Sequence, residues 1–272
     1  FFILITNFGN PFFLILISAL LYWMGKETES FFFMNTIVAA GISSSFFKSA
    51  FKAPRPQNVS DLAEYFEKIF FAPGNDFSFP SGHAAQVSAA YSFFFDGLKK
   101  NWKIIFAAIV VLVLASRVFL GKHYLIDVLG GLLLGLIVGR LVFFAKKWFE
   151  KNAKLNARSE RFFGLFAVLV IAVAVVFLFE TLLVVMIAIG YYAGIFLFKE
   201  IGKDSQKIAG KKFLAKSVMG TAGILAFLGL AVFAESFALR AVLLFFAGFW
   251  ITLLFPLLFE IITLKKPTKH KK

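Results

Sequence analysis

Three short polar segments interrupt an otherwise apolar chain, and each carries side chains that could do chemistry. KSAFKAPRP spans residues 48–56, PSGH spans 80–83 and SRVFLGKHYLID spans 116–127. Permanent cations in one pocket repel each other, so their convergence is favourable only around a multiply charged anion such as phosphate. Arginine offers a fork of donors that matches phosphate oxygens, and lysine adds a point charge. The candidate phosphate-binding cations of these segments are Lys48, Arg55 and Arg117.

PSGH has the residue types that begin a helix beside a bound anion. Pro80 fixes φ and ends a preceding element, and Ser81 is a favourable N-cap residue. Gly82 allows close approach of the backbone, and the first N–H groups of the new helix point at the anion. His83 then stands in the first turn of that helix. We therefore expect PSGH to contact the same anion as the three cations.

His123 and Asp127 are four residues apart, so both lie on one face of a helix that begins near residue 123. The carboxylate can accept the imidazole N–H and fix the tautomer of the ring. An imidazole so oriented is a nucleophile, and a cationic pocket neutralises the phosphorus-bound oxygens that would repel it. With His83, two imidazoles are available, one to attack and one to protonate a leaving oxygen.

The elements that must position these residues are membrane helices. Of 272 residues 60% are hydrophobic and 16% charged, with 40 Phe, and about 20 apolar residues cross a hydrocarbon layer. The apolar runs predict an all-α, polytopic integral membrane bundle of about nine transmembrane helices. They lie at about 8–24, 31–47, 82–96, 102–116, 124–145, 162–179, 181–198, 217–234 and 240–264.

The basic residues predict the orientation of this bundle. The net charge is +14, and most of the 29 Lys and Arg fall in the odd-numbered connections and the C-terminal tail. By the positive-inside rule these connections and the C-terminus are cytoplasmic, and the amino terminus is outside. The distribution predicts contacts with anionic membrane lipids and argues against nucleic acid as a partner. All three polar segments then lie at the outer face, where ionisable residues indicate a functional site.

Together the segments resemble the three signature motifs of the type 2 phosphatidic acid phosphatase superfamily, which includes lipid phosphate phosphatases, glucose-6-phosphatase and vanadium haloperoxidases. The motifs are K-x6-R-P, PSGH and S-R-x5-H-x3-D, and the resemblance covers residues of roughly 30 to 140. It implies that His123 becomes phosphorylated, that Asp127 orients it and that His83 is the general acid. It also implies that phosphate is held by Lys48, Arg55, Arg117, Ser81 and the Gly82 amide, and that neither a metal nor another cofactor is needed.

The resemblance and the topology predict a metal-independent phosphatase of the cell membrane. The expected substrate is a lipid phosphate or diphosphate, hydrolysed at the extracytoplasmic face through a phosphohistidine. Three alternatives remain open: a phosphatase of a soluble sugar phosphate, an anion transporter or channel, and an inactive scaffold. A metal bound by the His123–Asp127 pair is a further alternative. No cysteine occurs, which excludes disulfides and thiolate chemistry.

The predicted organisation is a catalytic core of about five helices over residues 1–145 and a four-helix extension over 146–272. The nine-helix layout is closest to the glucose-6-phosphatase and sphingosine-1-phosphate phosphatase branches of the superfamily.

Residues 62–76 are too short and too charged to span, and an interfacial helix or a lid is expected there. Lys52, Lys68 and Lys122 are expected to be interfacial anchors. The four glycines of the fifth helix, Gly130, Gly131, Gly135 and Gly139, are expected to permit close helix packing.

Overall fold

A computed structural model describes residues 1–56, 77–152, 182–201 and 210–264, and helices dominate these ranges. The described residues contain no strand, only an isolated antiparallel bridge between Pro54 and Phe77. The predicted all-α architecture is therefore confirmed. The helices are α1 (Phe2–Thr6, continued by a 3-10 turn, Asn7–Gly9), α2 (Pro11–Trp23), α3 (Glu27–Phe51), α4 (Gly82–Phe94), α5 (Lys100–Phe119), α6 (Leu125–Lys151), α7 (Leu182–Glu200), α8 (Gly210–Phe233), α9 (Phe237–Phe249) and α10 (Phe255–Leu264).

Several of these helices are long and apolar enough to cross a membrane. Within the described residues there are five, and a sixth if Phe2–Gly9 and Pro11–Trp23, which meet at 57°, form one broken span. The polytopic membrane character is confirmed, whereas the count of nine is not. The predicted span at 162–179 lies outside the described residues, and α4 has only 13 residues. About five or six spans are therefore supported in the described part.

The chain divides into two compact units. One comprises residues 1–18 and 28–185, and the other comprises residues 19–27 and 186–272. In the second unit, a π-helical turn (Trp250–Leu254) joins α9 to α10. Tyr22 and Trp23 donate hydrogen bonds of 3.2 and 2.9 Å to the Thr252 and Ile251 carbonyls in this turn. All three polar segments lie in the first unit, and the predicted domain boundary at residue 145 stays a prediction.

Within the first unit, α4 and α6 pack with their backbones in close contact. Gly131, Gly135 and Gly139 recur every four residues on one face of α6, as expected for helices that approach through small residues. A Cβ atom on any of these glycines would lie 2.2–2.5 Å from a backbone carbonyl oxygen of the opposing segment. The predicted close packing is thus confirmed at these three positions. The opposing carbonyls are those of Ser81, Ala85 and Ala89.

We expect Gly135→Ala to force α4 and α6 apart, because the added methyl would lie 2.2 Å from the Ala85 carbonyl oxygen. Overpacking of this kind costs about 1–3 kcal/mol, and the shift would also displace PSGH from the start of α6. The expected result is a lower thermal midpoint in detergent and at least a roughly tenfold loss of kcat. Gly229→Ala is the matched control, since no described atom lies within 4 Å of that position. Equal behaviour of the two variants would contradict this account.

Candidate active site

The loop that follows α3 runs beside the segment that precedes PSGH. Lys52 follows the last residue of α3 and has φ of 50°, in the left-handed region, which reverses the chain. The Ala53 carbonyl then accepts a 2.7 Å hydrogen bond from the Ser78 amide. Pro54 and Phe77 form the adjacent bridge. The first and second polar segments are therefore aligned by backbone contacts, which places Arg55 next to the approach to PSGH.

PSGH begins α4 as the sequence predicts. Ser81 occupies the N-cap position with extended backbone, and α4 starts at Gly82. The Ser81 side chain is fully buried, makes no capping bond and has no hydrogen-bond partner among the described residues. Its amide donates a 2.9 Å hydrogen bond to the Asp127 carbonyl. The second segment is thus joined by its backbone to the first turn of α6, where the third segment ends.

The third segment turns sharply between α5 and α6. Gly121 has φ of 67°, which is accessible to glycine at little cost. This turn brings His123 just ahead of α6, and Asp127 lies within the first turn of that helix. The carboxylate Oδ2 accepts a 2.7 Å hydrogen bond from the Tyr124 amide. The carboxylate therefore helps to begin α6 while it faces the histidine.

The imidazole and the carboxylate approach each other with a serine between them. His123 Nδ1 lies 3.7 Å from Asp127 Oδ2, which is long for a hydrogen bond. Ser78 Oγ lies 3.2 Å from His123 Nδ1 and 2.5 Å from Asp127 Oδ2. Our sequence reasoning missed Ser78. The available signal was its place in FSFPSGH, two residues before the proline of a motif already singled out.

His123 is held as a neutral ring. Its side chain is buried, and burial lowers its pKa to about 3 from an ordinary value of 6.5. The Asp127 carboxylate opposes this shift of the pKa, whereas the charges of Arg117, Arg55 and Lys48 add to it. Neutral imidazole is the form that carries a lone pair for attack. The effect of the three cations on this pKa also means that all three lie within electrostatic reach of His123.

Arg117 lies in the last turn of α5, and its side chain is only 3% exposed. Its Nη1 donates a 3.0 Å hydrogen bond to Thr6 Oγ1. Gly9 packs against α4, where a Cβ atom would lie 2.7 Å from the His83 carbonyl oxygen. The amino-terminal turns thus form one wall of the site. Thr6 and Gly9 were also missed, because Thr6 precedes the predicted apolar run at about 8–24, Gly9 lies within that run, and neither belongs to a polar segment.

The remaining candidates lie where the motifs place them, with one correction. Lys48 is in the last turn of α3, and His83 is in the first turn of α4. Lys122 was predicted to be an interfacial anchor, but its side chain is 3% exposed and therefore buried, so that prediction is wrong. Lys52 is exposed, as an anchor should be. Lys68 and the predicted lid at 62–76 lie outside the described residues.

The site has the chemistry of an anion pocket with a nucleophilic base. It combines a buried neutral imidazole, a carboxylate behind it and the three cations whose charges act on the ring. Among the described residues, no group of three or more His, Cys, Asp and Glu side chains could hold a metal ion. Such an arrangement can bind a phosphate group and transfer it to the histidine.

Comparison with known families agrees with this geometry. Residues 30–154 match the model of the PAP2 superfamily, so the resemblance predicted from the three motifs is confirmed over that segment. The matched range contains every candidate site residue. No solved structure is significantly similar to the chain.

Curated relatives match the same part of the chain. A lipid A 4'-phosphatase of Porphyromonas gingivalis is 31% identical over 113 residues, which cover 40% of this chain and 47% of that protein. Phosphatidylglycerophosphatase B of Bacillus subtilis is 40% identical over 108 residues, covering 34% of this chain and 51% of that protein. A lipid A 1-phosphatase of Rhizobium etli is 29% identical over 150 residues, covering 48% and 64%. The chain thus spans about half to two thirds of the length of these relatives.

Proposed function

We propose, from the match of residues 30–154 to the PAP2 superfamily, that the protein is a membrane phosphatase that hydrolyses a lipid phosphate or diphosphate. The observation that carries the proposal is the buried neutral His123, which has Asp127 behind it and three cations within electrostatic reach. A histidine with a purely structural role needs no cations nearby. A histidine that accepts a phosphoryl group does, because the cations offset the negative charge on the phosphate oxygens.

In the proposed reaction, the phosphate group of the substrate is held by Lys48, Arg55 and Arg117. Their charges offset the negative oxygens and favour the transition state, in which charge spreads over the equatorial oxygens. Ser81 Oγ, which is buried at the start of α4, and the Gly82 amide add hydrogen bonds to the same oxygens.

The proposed transfer uses the two histidines in turn. His123 Nε2 attacks phosphorus, the bond from phosphorus to the leaving oxygen breaks, and His83 gives that oxygen a proton. Water then attacks the phosphohistidine, with His83 accepting its proton. The phosphorus–nitrogen bond breaks, and inorganic phosphate leaves with His123 restored. No step of this sequence needs a metal ion or another cofactor.

Two observations favour a lipid over a soluble substrate. Five helices within the described ranges are long and apolar enough to span a membrane, and the site lies where α3 ends and α4 and α6 begin. The names of the relatives refer to lipid A and to phosphatidylglycerophosphate. A site at the level of the head groups lets an acyl or isoprenyl chain remain in the hydrocarbon, which contributes ~0.8 kcal/mol per buried methylene.

We place this site at the extracytoplasmic face, with the C-terminus in the cytoplasm. Support comes from the concentration of Lys and Arg in the connections opposite the site and in the tail KKPTKHKK. A single cysteine at residue 76 should then react with an impermeant thiol reagent in intact cells, and one at residue 205 should not. The chain has no native cysteine, so no background labelling of it arises.

The substrate class is tested by phosphate release from a panel of lipid and soluble phosphates in mixed micelles. We expect kcat/KM to rise more than about tenfold from a two-carbon to a long-chain phosphate, because the longer chain remains buried. EDTA should leave the rate of phosphate release unchanged, because no step of the proposed reaction uses a metal ion. A flat response to chain length with efficient hydrolysis of glucose 6-phosphate would instead identify a sugar phosphatase.

A further inference from the structure

Ser78 is a buried serine that the three motifs do not include. Its side chain is 0% exposed, and its hydroxyl contacts both His123 Nδ1, at 3.2 Å, and Asp127 Oδ2, at 2.5 Å. The two groups it contacts are 3.7 Å from each other. The Ser78 hydroxyl therefore lies closer to the imidazole and to the carboxylate than these two groups lie to each other.

The directions of these hydrogen bonds follow from the number of protons. A serine hydroxyl has one proton to donate, and an ionised carboxylate can only accept. Ser78 must therefore donate to Asp127 and accept from His123, which requires the proton on Nδ1. The lone pair of the neutral ring then lies on Nε2, the nitrogen that is proposed to attack phosphorus.

We propose that Ser78 is a positioning residue. Its hydroxyl links the Asp127 carboxylate to His123 by two hydrogen bonds, a relay that fixes the imidazole with Nε2 unprotonated. This inference rests on the proposed function, in which His123 is the nucleophile. The carboxylate then orients the imidazole through the Ser78 hydroxyl, and not through the direct hydrogen bond that the spacing of His123 and Asp127 predicts.

The backbone around Ser78 is anchored on both sides of the site. The Ser78 amide donates a 2.7 Å hydrogen bond to the Ala53 carbonyl, two residues from Arg55. Three residues further along the chain, the Ser81 amide donates to the Asp127 carbonyl. The backbone of Ser78 is thus held between the loop of the first segment and the start of α6, and its hydroxyl lies beside His123 and Asp127.

Ser78→Ala tests the relay kinetically. Removal of a group that orients a functional histidine typically costs about 10- to 100-fold in activity, and we expect this loss in kcat with KM nearly unchanged. Ser78→Thr keeps a hydroxyl and should recover at least half of the lost activity on a logarithmic scale. Ser92→Ala is the matched control, because Ser92 is buried in α4 and donates a 2.8 Å hydrogen bond to the Leu136 carbonyl of α6.

A spectroscopic measurement tests the relay without reference to activity. The chain has three histidines, so histidine-selective ¹⁵N labelling gives few signals, and His123→Gln identifies those of residue 123. At neutral pH the wild-type ring should show a protonated Nδ1 and an unprotonated Nε2. In Ser78→Ala the two nitrogens should shift toward a mixture of both tautomers, while Ser92→Ala should keep the wild-type signals.

Two results would overturn the relay. One is a wild-type His123 with its proton on Nε2, and the other is a Ser78→Ala variant with wild-type kcat and wild-type ¹⁵N shifts. A loss of activity in Ser78→Ala without recovery in Ser78→Thr, and with unchanged tautomer, would also reject it in favour of a packing role. If the wild-type protein hydrolyses none of the tested phosphates, the proposed function fails, but the ¹⁵N experiment still decides the tautomer.

Discussion

His123→Ala is expected to lower kcat by at least about 10⁴-fold, the scale seen when an enzyme loses its nucleophile. The reason is that the buried neutral imidazole of His123 is the proposed acceptor of the phosphoryl group. No other histidine among the described residues has a carboxylate four residues further along the chain. The measurement is the release of inorganic phosphate from a long-chain lipid phosphate, with a thermal melt to show that the variant is folded.

Two controls make the His123 result specific. His270→Ala, in the C-terminal tail, should keep wild-type activity. His123→Gly leaves space for a free imidazole, so added imidazole should restore part of the turnover if the ring acts chemically. A folded His123→Ala protein with turnover within tenfold of wild type would contradict the assignment of the nucleophile.

Arg117→Ala is the second variant for which a large effect is expected. The guanidinium is buried, and its charge acts on His123. Loss of one preorganised donor to a developing oxyanion costs about 10²- to 10³-fold in kcat. We expect a loss of this size in kcat/KM and a parallel loss of affinity for orthovanadate, which resembles the transferring phosphoryl group. Arg117→Lys keeps the charge without the fork of donors, so its kcat/KM and its vanadate affinity should lie between those of the wild type and those of Arg117→Ala.

The control for Arg117 lies on the neighbouring helix. Arg140 of α6 pairs with Asp96 at 2.8 Å with both side chains partly exposed, and exposed pairs contribute little to stability. Arg140→Ala should therefore keep its turnover and its vanadate affinity. If Arg117→Ala lost turnover but bound vanadate as tightly as the wild type, a phosphate-binding role for Arg117 would be excluded.

The convergence of the three polar segments could be predicted from the sequence, because the predicted succession of helices places the ends that carry them at the same end of the bundle. The spacing of His123 and Asp127 was also informative, since a separation of four residues brings both side chains to the start of α6. The glycines at 131, 135 and 139 predicted close helix packing, which their contacts with α4 and with Ser81 confirm. Each of these features depends on a local period that is visible in the chain itself.

The features that escaped prediction depend on contacts between distant residues. Ser78 follows no period, and its meeting with His123 joins residues 45 apart. Thr6 contacts Arg117 across 111 residues, and the segment that carries Thr6 meets α2 at an angle of 57°. Hydropathy predicts neither the bend nor the contact between Thr6 and Arg117. Lys122 was misjudged for a related reason, since burial depends on its neighbours and not on its own charge.

The central claim is that phosphate passes through His123, and trapping the intermediate tests it most directly. Wild-type protein should be mixed with a ³²P-labelled lipid phosphate and quenched in base within milliseconds, because phosphohistidine survives base and is lost in acid. We expect base-stable, acid-labile label on the peptide that contains His123, and none on the His123→Ala protein. Label on another residue, or rapid phosphate release with no labelled protein at any quench time, would contradict it.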